Sequence, residues 1–280
     1  SLAKNIAIDN HEPVAFFSLE MSNVQLVNRL IMNVCEIPGD KIKTGKLSKA
    51  EWSQMEHKIN DLQGAPIYVD DTPGLSVFEL RSKARKLVRE HKGELIIIDY
   101  LQLMNANGMQ FGSREQEVSI ISRSLKGLAK ELDIPIIALS QLNRGVESRV
   151  GVEGKKPQLS DLRESGAIEQ DADMVCFIHR PEYYHLYTDE KTNKDLRGLG
   201  QIIVAKHRNG ATDEIWLRFR GKFAKFQNED ETVDDDELMP LPQAGDISVS
   251  PEAQSFSISS KMNTMSPDGA SLGDDQGAPF

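Results

Sequence analysis

Leu95-Ile96-Ile97-Ile98-Asp99 is the stretch that decides the fold. A short continuous apolar run ending in a carboxylate predicts a strand buried on both faces. Similar runs stand at 14–19, 67–69, 134–139, 174–178 and 202–205. Amphipathic, helix-like segments lie between the earlier runs, at 22–35, 48–62, 76–91 and 114–132. Apolar strands separated by helices imply an α/β fold with a mostly parallel central sheet flanked by helices. The segment 76–91 opens with Ser76 and has Glu79 three residues on, a capping-box signature. Arg81, Arg85 and Arg89 make one of its faces basic. Further on, 200–206 and 212–218 flank 207–211 and predict a C-terminal antiparallel hairpin, with 223–226 as an additional edge strand. All of this forms one domain over residues 1–227.

The rest, residues 228–280, differs in composition. From Gln227 onward about 12 acidic residues face one basic residue, Lys261, so this stretch carries roughly −11 against the whole chain's −10. An acidic run rich in Ser, Pro, Gly and Asp, without helical or strand period, predicts a disordered tail. It could dock a partner or only solubilise the terminus. The domain before it is near neutral, so basic sites there have to be judged locally. Cys35 and Cys176 lie in apolar runs far apart, which predicts reduced core residues in a cytoplasmic protein. No stretch approaches the roughly 18 apolar residues of a membrane span, and residues 1–10 lack the pattern of a signal peptide.

Ligands of open α/β sheets bind beyond the carboxyl ends of the strands. Glu20 follows the run 14–19, Asp70 and Asp71 follow 67–69, Asp99 ends 95–98, and Ser140 and Gln141 follow 134–139. One acid after a strand often only caps the next helix. Three strands ending this way point to a hydrated metal and a phosphate. Leu95–Asp99 also fits the Walker-B pattern of phosphate-loop NTPases, whose Asp holds the Mg²⁺ bridging the nucleotide phosphates. The partner motif G-x-x-x-x-G-K-[ST] is absent from all 280 residues. Gly-Lys occurs only at Gly45-Lys46, Gly154-Lys155 and Gly221-Lys222, without the required neighbours.

A series of blocks resembles the motor domain of DnaB-type replicative DNA helicases, in the same order. Ser1-Leu2-Ala3-Lys4-Asn5-Ile6-Ala7 is similar to the helix just after that family's phosphate loop. Then come Phe17-Ser18-Leu19-Glu20-Met21, Ile98-Asp99-Tyr100-Leu101-Gln102-Leu103 and Ala138-Leu139-Ser140-Gln141-Leu142-Asn143-Arg144. Asp161-Leu162-Arg163-Glu164-Ser165-Gly166, Ile168-Glu169-Gln170-Asp171-Ala172-Asp173 and Lys206-His207-Arg208-Asn209-Gly210 complete the series. The resemblance implies a RecA-like fold, a homo-hexameric ring, and ATP-driven 5′-to-3′ translocation on single-stranded DNA at replication forks. It also implies a primase and a helicase loader as partners of the longer protein. The chain would start just after the phosphate loop and be inactive alone.

Roles follow residue by residue from the resemblance. Glu20 matches the carboxylate that orients the attacking water, and Arg29 an arginine near the phosphates. Asp99 matches the Mg²⁺ ligand and Gln141 the γ-phosphate sensor. Lys206 and Arg208 match a pair supplied to the neighbouring subunit's nucleotide. Read without the resemblance, two cations beside a hairpin are solvated edge charges. Arg163, Glu164 and Gly166 match the loop that grips single-stranded DNA. The segment 142–159, with Arg144, Arg149, Lys155 and Lys156, reads as a second mobile channel loop or as a surface loop without a DNA role. The six histidines show no metal-ligand spacing. Two rivals remain: another RecA-like ATPase, of recombinase or clock type, and a non-enzymatic fragment that binds DNA or a partner.

Overall fold

A computed structural model describes residues 1–106 and 111–230, with the backbone alone at 163–165. From residue 231 onward the acidic tail lies outside the described residues. The run at Leu95 forms β3 (Leu95–Asp99), flanked by β1 (Val14–Ser18) and β4 (Ile136–Ala138), with β2 (Ile67–Asp70) outside β1. The order is β2-β1-β3-β4 and every pairing is parallel. Side chains alternate across a strand, so Ile96 and Ile98 join Ala15 and Phe17 on one face while Leu95 and Ile97 join Val14 on the other. The first face packs on Leu80 and Ala84 and on Ile121, Leu125 and Leu128. The second packs on Ala3, Ile6 and Ala7. Each of the large side chains among these contributes about 1.5–3 kcal/mol by leaving water. Covering on both faces is the reason the strands read as unbroken apolar runs.

The helices are α1 (Leu2–Lys4, continuing as a π-helical segment Asn5–Asp9), α2 (Asn23–Cys35), α3 (Gly39–Thr44), α4 (Lys49–Gln63), α5 (Val77–His91) and α6 (Arg114–Leu132). Capping boxes open α2, α4 and α5, through Ser22 with Gln25, Ser48 with Glu51 and Ser76 with Glu79. Each ties up backbone donors that the first helical turn leaves unpaired. Of the basic face expected on α5, Arg81 and Arg85 both pair with Glu131 of α6, while Arg89 lies exposed with Glu90 at 3.9 Å. β4 is shorter than the apolar run 134–139 because Pro135 has no N–H to enter the ladder. Pro135 contributes only its carbonyl, to the Ile96 N–H at 3.1 Å.

Two short helices follow, α7 (Gly151–Gly154) and α8 (Gly166–Asp171). A second sheet of β5 (Met174–His179), β6 (Leu199–His207), β7 (Asp213–Arg220) and β8 (Lys225–Asn228) is antiparallel throughout, in that order. The expected hairpin is β6–β7. The run 174–178 joins this sheet and not the parallel one, and its burial alternates: Val175, Phe177 and His179 face inward, Met174, Cys176 and Ile178 outward. Cys176 is therefore exposed, whereas Cys35 is a core residue as expected. Phe223 ends in a 3-10 turn, so the edge strand starts two residues later than anticipated. The segment 142–159 holds a 3-10 helix at Arg144–Ser148 as well as α7. Three of its four basic residues are engaged within the chain: Arg149 with Asp161, Lys156 with Glu214 at 2.9 Å, and Lys155 above the Tyr184 ring. Among the described residues, no helix is long and apolar enough to cross a membrane.

Candidate nucleotide site

The carboxyl end of the parallel sheet assembles the first group of expected residues. Ser18 lies opposite Asp99 in the ladder, and the Leu19 N–H donates to the Asp99 carbonyl at 2.8 Å. Ser18 is buried and donates its hydroxyl to the Met21 carbonyl at 2.7 Å, which turns the chain sharply from β1 toward α2. Glu20 sits on that turn, exposed. Asp99 is half-buried at the end of β3, and a cis peptide joins it to Tyr100. Burial raises the Asp99 carboxyl above its ordinary range, and the Glu20 charge raises it further, while Arg29 on α2 opposes both. The charges of Glu20 and Arg29 thus both reach Asp99 at this rim.

Neither the Asp99 nor the Glu20 carboxylate receives a hydrogen bond among the described residues. A half-buried carboxylate facing a like charge, without a protein donor, is the donor chemistry a hard divalent cation satisfies. Asp99 could supply one oxygen ligand to such a cation, although among the described residues no cluster of three His, Cys, Asp or Glu side chains would hold a metal by itself. The phosphate cradle itself has no counterpart among these residues.

The neighbouring strand brings Gln141 to the same rim. The Leu139 N–H donates to the Ile98 carbonyl at 2.9 Å, and the Leu101 N–H to the Leu139 carbonyl at 2.9 Å. Gln141 is exposed beside a cleft of about 480 Å³ that is lined also by Gln102, Arg114, Asn143, Asp161 and Leu162. Sequence reasoning passed over Gln102 and Arg114. Gln102 does not end a strand, and Arg114 opens a helix whose pattern marks only its apolar face.

Other expected residues lie elsewhere. Asp70 is tied to Lys83 at 2.6 Å, and Asp71 accepts from the backbone and side chain of Asn23 at 2.8 and 2.9 Å. Two of the carboxylates expected at a metal-and-phosphate rim are thus occupied in structural bonds. Lys206 and Arg208, on and just after β6, hold the end of α8. Lys206 Nζ donates to the carbonyls of Glu169 and, at 2.9 Å, Ala172; Arg208 donates to the Gln170 carbonyl at 2.5 Å and pairs with Asp173 at 3.5 Å. Cations at that end satisfy carbonyls the helix leaves open. They are not among the charges that shift Asp99. Arg163 and Glu164 belong to the 3-10 helix Leu159–Ser165, and exposed Gly166 begins α8 directly after it. A Cβ at Gly166 would meet nothing within 4 Å among the described residues.

A parallel sheet with an acidic rim is common to many nucleotide-binding proteins, and the full length of the chain narrows the choice. Residues 1–228 match the model of the DnaB-like helicase C-terminal domain. The chain belongs to that family. The DnaB-like domain is 44% identical over 240 residues to the replicative DNA helicase DnaB of Geobacillus stearothermophilus, covering 86% of this chain and 51% of that protein. It is 43% identical over 240 residues to the replicative DNA helicase DnaC of Bacillus subtilis (strain 168), with the same coverage. Two solved structures align with a TM-score of 0.73 at 38% identity, each over 81% of this chain. One is a DnaB-like replicative helicase described with its interactions with primase, of which 52% is covered; the other is a separate ATPase domain, of which 77% is covered. The chain spans about half the length of the curated relatives it matches. The RecA-like expectation holds, and β5–β8 enlarge the expected hairpin into a four-stranded sheet.

Proposed function

We propose that this DnaB-like domain is the ATP-hydrolysing motor of a replicative DNA helicase, acting at replication forks in the cytoplasm as a ring of six copies. The observation that carries the reading is the rim of Asp99, Glu20 and Arg29, where a half-buried carboxylate without a protein donor faces a second acid and a compensating cation. Mg²⁺ bound there with ATP would neutralise the charge that develops on the transferred phosphoryl group. Asp99 holds the metal position, and Glu20 orients a water and accepts its proton. Arg29 offsets phosphate charge, and Gln141 donates its amide to the γ-phosphate. Lys206 and Arg208 serve the neighbouring copy, leaving their α8 carbonyls to do so. Cations supplied across an interface in this way are worth about 10³–10⁵ in rate in comparable enzymes.

Single-stranded DNA is gripped by the segment of Arg163, Glu164 and Gly166. Among the described residues a Cβ at Gly166 would meet nothing, so their packing does not require a glycine there. Close approach by an outside backbone is such a requirement. Translocation runs 5′ to 3′. The primase named with one structural relative supports primase as a partner of the longer protein, beside a helicase loader. Because the 280 residues include no G-x-x-x-x-G-K-[ST] motif, turnover needs a phosphate-binding loop in addition to them, and the chain alone is inactive.

The test uses an ATPase-competent form, the chain joined to an upstream segment supplying that loop. Glu20→Gln should keep nucleotide affinity and lower turnover by about 10²–10⁴-fold, the usual worth of a general base. Turnover at the unsubstituted rate would remove Glu20 from catalysis.

A further inference from the structure

The ladder between β3 and β4 ends at Ile98 and Ala138, yet the chain beyond β4 stays fixed to the chain beyond β3. One backbone bond, from the Leu101 N–H to the Leu139 carbonyl at 2.9 Å, continues the connection, and a side chain then extends it. The Gln102 Oε1 accepts from the Gln141 N–H at 3.2 Å, and Gln102 Nε2 donates to the Ser140 hydroxyl at 2.9 Å and to the Gln141 carbonyl at 3.4 Å. A primary amide offers one acceptor and two donors, so it can imitate the peptide group of a neighbouring strand. Gln102 thereby adds side-chain bonds at Ser140 and Gln141, beyond the last backbone bond between the two segments at Leu139.

Gln102 is itself held firmly. It lies in the 3-10 turn Leu101–Leu103, two residues past the Asp99–Tyr100 peptide, and Leu101 is 2% exposed. Arg114, at the start of α6, donates to the Gln102 carbonyl at 2.7 Å and to the Met104 carbonyl at 3.0 Å. One end of the connection is therefore anchored beside Asp99 and the other grips the main chain of Gln141. The Gln141 side chain has no hydrogen-bond partner among the described residues and borders the cleft. Two residues on, the Asn143 N–H donates to the Asp161 carbonyl at 3.1 Å, at the segment that carries Arg163 and Glu164.

We infer that Gln102 is a positioning residue for Gln141: its amide locks the backbone at 140–141 so that the Gln141 side chain meets the γ-phosphate of a nucleotide held at Asp99. The inference rests on the reading of Gln141 as the group that touches the phosphate. Misplacing such a group by about 1 Å costs up to about 10²-fold in rate, with little effect on ground-state binding.

The experiment measures kcat and KM for ATP in the ATPase-competent form, for Gln102→Ala, Gln102→Glu, Gln141→Ala and the double alanine variant. Thermal unfolding establishes that each variant folds. Gln102→Ala should lower kcat by about 10–100-fold with KM changed by less than about threefold. Gln102→Glu keeps the acceptor for the Gln141 N–H and loses the donor to Ser140, so it should recover part of that loss. In the Gln141→Ala background, Gln102→Ala should cost no more than about twofold further, because two residues acting through one contact are not additive. A kcat unaffected by Gln102→Ala, or lowered equally in both backgrounds, would overturn the role of Gln102 and leave Gln141 standing. Unchanged kcat in Gln141→Ala alone would overturn both.

Discussion

Asp99 is held in its place at a cost to the fold. Its folded-state carboxyl titrates above the ordinary range, through burial first and the Glu20 charge second. A raised acid means that the ionised form disfavours folding at neutral pH, and that this cost disappears as pH falls through the folded value. On the proposed reading, a cation joining the exposed Glu20 and half-buried Asp99 relieves that cost. Asp99→Asn should therefore raise Tm at pH 7, by no more than about 2–4 °C, the shift that roughly 1 kcal/mol produces in a domain of this size. The gain should shrink toward pH 4, and Mg²⁺-dependent turnover of the ATPase-competent form should be lost. A lower Tm in the variant, followed by circular dichroism, would show that the carboxylate stabilises the fold and is no metal position.

At the scale of elements, what was legible depended on how local the signal was. Ser76 with Glu79 announced α5 because a capping box is written within four residues, and the formed box repeats that reading. β1 and β3 were legible because burial on both faces leaves no charged residue within the run, and Ser18 is its one polar interruption. Membership of a sheet was less so. Whether the strand at Met174 pairs with β4 or with β6 depends on contacts more than 20 residues away, and the apolar run is the same either way. In the candidate site, acids that end strands were readable, and the Glu20 charge does reach Asp99. Asp70 and Asp71 carried the same signal and are taken up by Lys83 and Asn23, partners that only the folded chain brings near. Gln102 acts from a turn, where no period marks a residue.

β5 and β6 also carry a pH dependence. His179 is 1% exposed and opposite Gln201, with Tyr184 stacked near it. Burial, helped by the Lys156 charge and opposed by Glu153 and Glu214, lowers its pKa to about 4. An ordinary histidine binds its proton near pH 6.5, so the unfolded chain takes up the proton first. The stability of the neutral ring is complete above about pH 6.5 and is lost as pH falls toward about 4. Between pH 7 and pH 5 the Tm of the chain should fall by about 2–4 °C more than that of His179→Phe, which keeps a ring beside Tyr184. Parallel curves for the two proteins would place the acid sensitivity elsewhere.

The whole molecule divides its chemistry between two sheets. At the parallel sheet the Glu20 and Arg29 charges reach Asp99, and Gln141 follows the adjacent strand, while Lys206 and Arg208 stand with the antiparallel sheet and hold α8, the helix that begins at Gly166. A motor that uses both sets needs a neighbouring copy to meet the first with the second. The near-neutral domain suits a protein that touches phosphates at a few placed donors, and sequence-independent binding asks for no more. Strand separation on a forked duplex, measured with the ATPase-competent form, is the most direct test of a helicase motor. Unwinding should require ATP and a free 5′ arm, and Glu20→Gln should abolish it. ATP hydrolysis without strand separation on any fork would contradict the helicase assignment, and would place the chain with RecA-like ATPases that are not helicases.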